Sequence, residues 1–500
     1  MILGRRPRFL RARGLVALIG IVPAAALAHS FGQVYRLPVP VWLYLYGACA
    51  ALALSFLVMV FFLTADTDSD PEASSVAPAP RTCPTLDRWM RRMRIPALLA
   101  CAGVIMLALC IASGLFGVAG PYANFSMTAF WILFLLGLAY ASAVVGDVYR
   151  LANPWRALCN AIGHVWHGFA DGRFRYPARL AYWPALVFYM GLVWLELFGD
   201  STPFSLAVVL SAYTVVNLVG VGLIGTRHWF RYCEIFSVLF RLIGLMATIA
   251  YAERADGAGV HIRLRAPFSG LRLARVARTS LLLFILFMLS STAFDGLHET
   301  EAWRRLYWID LNAAVLSRWV GSNPIAAFPA LLNLYQYWQA LCLLLSPFAY
   351  LAVYGCFVAL MRVMARSRES VMDLARRFAP SLLPIALAYH LSHYYTLLQT
   401  QGLKIVPLAS DPFGTGWNLF GTADWWQRSN VPDPSTVWHV QVGVIVLGHI
   451  IGVYVSHAIA LDAFGSRRRA ALSQLPMLVL MLAFTAAGLW ILAQPIQGGA

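Results

Sequence analysis

His390 and His393 stand three residues apart in a stretch apolar enough to cross a bilayer, and His449 lies in the next such stretch. Three residues on a helix separate two side chains by about 60° around the axis, so the first pair shares a face. At a rise of about 1.5 Å per residue, His390 and His449 both fall about 16 Å from the outer ends of their segments, with His393 one turn shallower. Ionisable groups inside a membrane are costly enough to point to function, and neutral imidazole is a common ligand for zinc, copper and haem iron. Two readings follow: a metal centre at His390, His393 and His449, or separate hydrogen-bonded histidines packed against Tyr394, Tyr395 or Gln441. His457, about 12 Å further along and about 80° around the helix, reads as a second-site or structural residue.

A second group gathers toward the same side. Asp295, His298, Glu299 and Glu301 close one apolar run, Glu196 lies near the end of another in W-L-E-L, and His439 opens a third. Glu299 and Glu301 suit a solvated face, whereas Asp295 and Glu196 sit nearer the hydrocarbon and are candidate catalytic carboxylates. The loop at 402–437 adds Asp411, Asn418 and Asp424. At the other end of the chain, an arginine-rich stretch, an apolar core from Leu15 to Ala25 and Ala26-Leu27-Ala28 resemble a secretory signal. Cleavage after Ala28 would leave the amine and imidazole of His29 on one residue, a chelating pair suited to copper.

These groups need a scaffold, and composition restricts what it can be. Hydrophobic residues make up 60% of the 500 and charged residues 12%, against roughly 45–50% and about 25% in soluble proteins. With a mean hydropathy of +0.68, the sequence predicts an all-α, polytopic transmembrane bundle. Apolar runs at 42–64, 97–118, 127–147, 181–198, 204–225, 279–296, 340–363, 379–401, 438–462 and 475–494 give about ten spans. The formal charge of +16 comes almost entirely from arginine, Lys404 being the sole lysine. Those arginines cluster between spans, at 65–96, 149–180, 226–278, 364–378 and 463–474, all on one side when the mature N-terminus lies outside. That pattern argues for a lipid bilayer as partner and against nucleic acid.

The predicted organisation is a signal peptide at 1–28 followed by one membrane domain at 29–500, with a cytoplasmic linker at 65–96. Residues 228–278 read as an interfacial or re-entrant segment, because Glu234 and Arg241 interrupt their apolar stretch. Residues 326–345 run into the seventh span near Pro347, predicting a kinked or outer surface helix. No cysteine falls in an outer loop, so no disulfide is expected there. H-E-x-x-H, G-x-S-x-G and Walker A patterns are absent, and Gly220, Gly222 and Gly225 lie at a span end, where they read as packing glycines.

Several segments in one order resemble a family: A-H-S-F-G-Q-V-Y-R-L-P-V-P-V-W-L-Y from Ala28, N-P-W-R at Asn153, W-L-E-L at Trp194, F-D-G-L at Phe294, S-H-Y-Y at Ser392, S-D-P-F-G-T-G-W-N-L-F-G-T-A-D at Ser410, and G-H-x-x-G with S-H through His449 and His457. Together they are similar to the bacterial membrane proteins named fenitrothion hydrolases, over nearly the whole chain. The resemblance implies an inner-membrane organophosphate hydrolase that takes an apolar phosphotriester and releases a nitrophenol. His29, His393, His449, His457, Asp295 and Glu196 match the family's motifs, whereas His390 and His439 depart from them. A divalent or copper ion at the histidines could activate water, with Glu196 or Asp295 as general base or further ligand. The residues leave open a copper- or haem b-binding redox protein, a cation-coupled transporter, and a second membrane subunit as partner.

Overall fold

The computed structural model describes residues 40–65, 81–199, 201–253, 260–320, 323–425 and 433–494. The signal peptide, His29 and residues 66–80 of the linker therefore lie outside the described residues. What is described is an all-α bundle with one small sheet. Eight helices are long and apolar enough to cross a membrane. They are α1 (Val41–Ala65), α2 (Ile95–Phe116), α3 (Phe125–Val145), α5 (Pro203–Ile224), α7 (Thr279–His298), α8 (Pro324–Met364), α10 (Pro434–Phe464) and α11 (Arg467–Leu492). Two of the expected spans are marginal by that measure. Helix α4 (Trp183–Phe198) has only 16 residues, and α9 (Leu383–Gln401) carries His390, Ser392, His393, Tyr394 and Tyr395 among its apolar residues.

Helix α7 is the centre of the bundle. Its buried residues run almost without a break from Ser280 to Phe294, and it packs against α4, α8, α9 and α11. A helix apolar all round has no preferred outward face and is stable only when neighbours cover it. This arrangement delivers Asp295, at the end of α7, to a point enclosed by α4 and α9.

Helices α9 and α10 lie unusually close. A Cβ on Gly448 would fall 2.3 Å from the Ala388 Cβ and 2.9 Å from the Pro384 carbonyl, and one on Gly452 would fall 3.0 Å from the Ser381 carbonyl. The Gly448-x-x-x-Gly452 spacing puts both glycines on one face, where small residues let two membrane helices approach. Gly488 of α11 similarly makes room for the Tyr389 ring, whose hydroxyl donates to the Phe484 carbonyl.

The segment expected to be interfacial or re-entrant resolves into several parts. Helix α6 (Ile235–Ile243) is buried within the bundle on nearly every side, with Ile235, Val238, Phe240 and Ile243 all shielded. It is an internal helix and does not lie on the surface. After it come two strands of an antiparallel sheet that the hydropathy pattern does not anticipate: β1 (Arg81–Thr82), β2 (Ile249–Glu253) and β3 (Val260–Leu264), in the order β1-β3-β2. Arg81 and Ile249 both face Leu264 in the register, and the Asp87 carboxylate accepts from the Ile262 amide at 2.7 Å. Residues 326–345 are likewise no separate surface helix: α8 is one helix of 41 residues with Pro329 and Pro347 inside it. At about 1.5 Å per residue it is roughly 60 Å long, about twice the hydrocarbon thickness, so it must project beyond the membrane.

Candidate functional site

Four ionisable or hydroxyl side chains from three helices form a continuous hydrogen-bonded chain. The Tyr394 hydroxyl on α9 lies 2.9 Å from Glu196 Oε1 on α4 and 3.0 Å from Asp295 Oδ2 on α7. The same Asp295 oxygen lies 2.7 Å from His393 Nε2. A phenol has one proton to donate, so it cannot donate a full hydrogen bond to both carboxylates at once. The order Glu196, Tyr394, Asp295, His393 is therefore a chain along which protons are shared, with the imidazole at one end.

Local sequence explains the convergence. His390, His393 and Tyr394 occupy positions i, i+3 and i+4 on α9, which share one face of a helix. His390 and Tyr394 are in ring contact at 4.9 Å, and His390 Nδ1 lies 3.2 Å from the Tyr140 hydroxyl of α3. The hydroxyl chain meets a cavity of about 40 Å³ lined by Glu196, Asp295, His390 and Tyr394, with Ser291 and Thr292 of α7 adding polar atoms and Leu239 and Ile243 of α6 closing it. A water needs about 10–15 Å³ by this kind of measure, so the chamber has room for roughly three. The His393 side chain is 25% exposed and that of Asp295 14%, so the imidazole end of the chain faces outward from the bundle core.

The other candidate residues are placed apart from this chain. His449 is fully buried on α10. Its Nδ1 lies 2.9 Å from the Ile445 carbonyl, its ring packs edge-on to Tyr389 at 5.9 Å, and its Nε2 has no hydrogen-bond partner. His457 is also fully buried, with neither ring nitrogen partnered. Among the described residues, no three of His, Cys, Asp and Glu come together in a way that could hold a metal ion. The donor set at His390, His393, His449 and His457 therefore does not converge as a ligand shell, and His29 lies outside the described residues.

Several of the remaining candidate residues have structural partners. The His298 ring lies 2.6 Å from the Asp295 backbone carbonyl and 3.3 Å from Glu299 Oε1, so it does not join the Asp295 carboxylate. His439 lies 3.1 Å from the Tyr44 hydroxyl and 2.6 Å from the Ser435 carbonyl. Asp411 accepts from the amides of Thr415 and Gly416, and Asn418 from that of Ala423, which makes both turn-forming residues.

Tyr394 and Tyr140 are participants that sequence alone does not assign to a site. Tyr394 is legible in principle, since it follows His390 by four residues. Glu234 reads from sequence only as an interruption in an apolar stretch. It is fully buried, caps α6 by accepting from the amides of Phe236 and Ser237 at 3.1 and 2.7 Å, and accepts from the Tyr213 hydroxyl at 3.0 Å. Asn153 of the N-P-W-R segment donates to Glu234 Oε2 at 3.4 Å and to Ser237 Oγ at 3.1 Å. These contacts tie two distant segments together and make Glu234 the anchor of α6.

No protein-family model, no curated protein and no solved structure matches the chain.

Proposed function

We propose that this chain is a membrane-embedded hydrolase of apolar esters, of the phosphotriester class that the family resemblance implies, with His393 as the base that activates water. The observation carrying this reading is the 2.7 Å His393–Asp295 pair backed by Tyr394 and Glu196. A carboxylate that orients an imidazole and stabilises its protonated form is the arrangement general-base catalysis requires. Water oxygen attacks phosphorus as its proton passes to His393. The phosphorus–aryloxide bond breaks, and the aryl oxide, a good leaving group, departs without needing a strong acid.

The attacking water sits at the partly exposed His393 imidazole, since His393 does not line the cavity of about 40 Å³ behind the chain. An apolar cavity near 150 Å³ is what a benzene ring takes, so an aryl triester exceeds this chamber and meets the water from the exposed His393 side. A neutral triester partitions into lipid and can reach a site between helices. Since the described histidines do not converge as ligands, no step is routed through a metal. In this reading α4 and α9 both cross the membrane, giving ten spans in the bacterial inner membrane with the mature N-terminus and the catalytic chain toward the outer face.

A second reading, proton-coupled translocation, is favoured by the size of the chamber, which suits water and protons better than an organic molecule. One experiment separates the two. The purified full-length chain in liposomes is given a nitrophenyl phosphotriester, with nitrophenolate release and internal pH followed together. Release that His393→Gln abolishes in a folded protein supports the hydrolase. No release, with Glu196-dependent proton movement, replaces it with the transport reading.

A further inference from the structure

At the arginine-rich end of the bundle, beneath the catalytic chain, lies a second and larger cavity of about 220 Å³. Its walls are apolar: Leu242 and Leu245 at and beyond the end of α6, Val276 before α7, Leu281 and Ile285 on α7, and Leu383 at the start of α9. Arg241 and Arg275 also line it. We propose that this cavity is a binding site for an anionic phospholipid of the leaflet facing the arginine-rich side, its phosphate held by Arg241 and Arg275 and part of an acyl chain occupying the apolar chamber.

Four observations support the assignment. The volume exceeds the roughly 150 Å³ that admits a benzene ring, so a length of hydrocarbon fits where the first cavity takes only water. The lining contains two guanidinium groups and no carboxylate. Other arginines at this end are already paired, Arg272 with Asp462 at 2.6 Å and Arg377 with Glu369 at 2.8 Å. Among the described residues, Arg241 and Arg275 form no carboxylate ion pair; Arg241 donates to the Arg231 carbonyl at 2.9 Å and lies 6.0 Å from the Tyr182 ring centroid. Arg241 is also the strongest of three arginines, with Arg150 and Arg156, that attract the buried Asp147 carboxylate, which lies outside the lining of this cavity.

Tyr182 fixes the rim: its amide donates to Ser280 Oγ at 3.0 Å, which holds the aromatic wall against the start of α7. Basic pockets between helices on the arginine-rich side of a membrane protein are the arrangement that recognises phosphate headgroups. The two cavities share walls. Helix α6 gives Leu239 and Ile243 to the upper chamber and Arg241 and Leu242 to the lower one.

The test uses the full-length protein in detergent and native mass spectrometry with dioctanoyl phosphatidylglycerol, dioctanoyl phosphatidylcholine and glycerol phosphate. The phosphatidylglycerol is expected to bind at least tenfold more tightly than the other two. Arg241→Gln with Arg275→Gln should weaken it roughly thirtyfold, at about fivefold per arginine near a headgroup, whereas Arg468→Gln, an exposed arginine at the same end, should leave it unchanged. Ala274→Phe fills the chamber and should lower affinity while keeping both charges, so the proposal stays testable if the double variant fails to fold. Equal affinity for phosphatidylcholine, equal affinity for glycerol phosphate, or full binding by both sets of variants would overturn the assignment.

Discussion

Asp295→Asn is the sharpest probe of the catalytic chain, because it keeps the size of the side chain and removes only its charge. In the native protein one oxygen, Oδ2, meets both His393 Nε2 at 2.7 Å and the Tyr394 hydroxyl at 3.0 Å. An amide can still offer one oxygen, but it no longer balances a proton arriving on the imidazole. A hydrogen bond to a charged group contributes about 1.5–3 kcal/mol. If that support is present in the transition state and lost in the variant, hydrolysis slows by about 10- to 150-fold, since each 1.36 kcal/mol corresponds to about a factor of ten. The assay is nitrophenolate release from a phosphotriester by protein in liposomes. Glu299→Gln, which alters an exposed carboxylate four residues away, serves as control. An Asp295→Asn protein that is folded and keeps more than half of native turnover would refute the assignment of His393–Asp295 as the base.

Three other outcomes are expected. Tyr394→Phe removes the hydroxyl that joins Glu196 to Asp295 and should reduce turnover by about tenfold through the loss of a charge-assisted hydrogen bond, measured in the same release assay; an unchanged rate would confine the chain to Asp295 and His393. Glu234→Gln replaces one of the two oxygens that accept from the Phe236 and Ser237 amides by a donor and should destabilise the fold by about 1–3 kcal/mol, read as an earlier thermal unfolding midpoint in detergent, whereas an unaltered midpoint would mean α6 is anchored elsewhere. Gly448→Leu forces a side chain into the 2.3 Å gap before Ala388, and the overpacking should cost about 1–3 kcal/mol, seen in the same melt; a native melt would show that α9 and α10 can separate freely.

Much of the hydrogen-bonded chain is legible in the sequence because its residues are rare in their surroundings. A histidine or carboxylate in an apolar helix stands out, and the three-residue spacing of His390 and His393 is enough by itself to put them on a shared face. Facing angles between helices are not legible. His449 lies on the helix next to His393, yet its Nδ1 is engaged by the Ile445 carbonyl of its own helix and its ring by Tyr389, an orientation that depth alone does not encode. Helix α6 carries Ser237 and Arg241 among apolar residues, an amphipathic pattern that reads as interfacial, whereas its burial comes from neighbouring helices that its own periodicity does not reveal. Strand β1 escapes notice because Arg81 and Thr82 are too few for an alternating pattern and pair with a segment far along the chain, whereas the alternation of β3, V-H-I-R-L, is legible in principle but short. For α8 the sequence leaves a kinked helix and an outer surface helix open at Pro347, and the single helix accommodates both Pro329 and Pro347.

The brevity of α4 has a consequence for the membrane itself. Its 16 residues span about 24 Å at 1.5 Å per residue, short of the roughly 30 Å hydrocarbon thickness. In the ten-span arrangement the deficit of about 6 Å is met by flanking residues or by a local thinning of the bilayer around α4, the latter at a cost of fractions of a kcal/mol per ångström. Glu196 sits at the end of that helix, where the dimple would draw headgroups and interfacial water down toward its carboxylate. A mismatched helix would then shorten the path by which water reaches the Glu196–His393 chain and make the site's hydration depend on bilayer thickness, with thicker membranes leaving it drier.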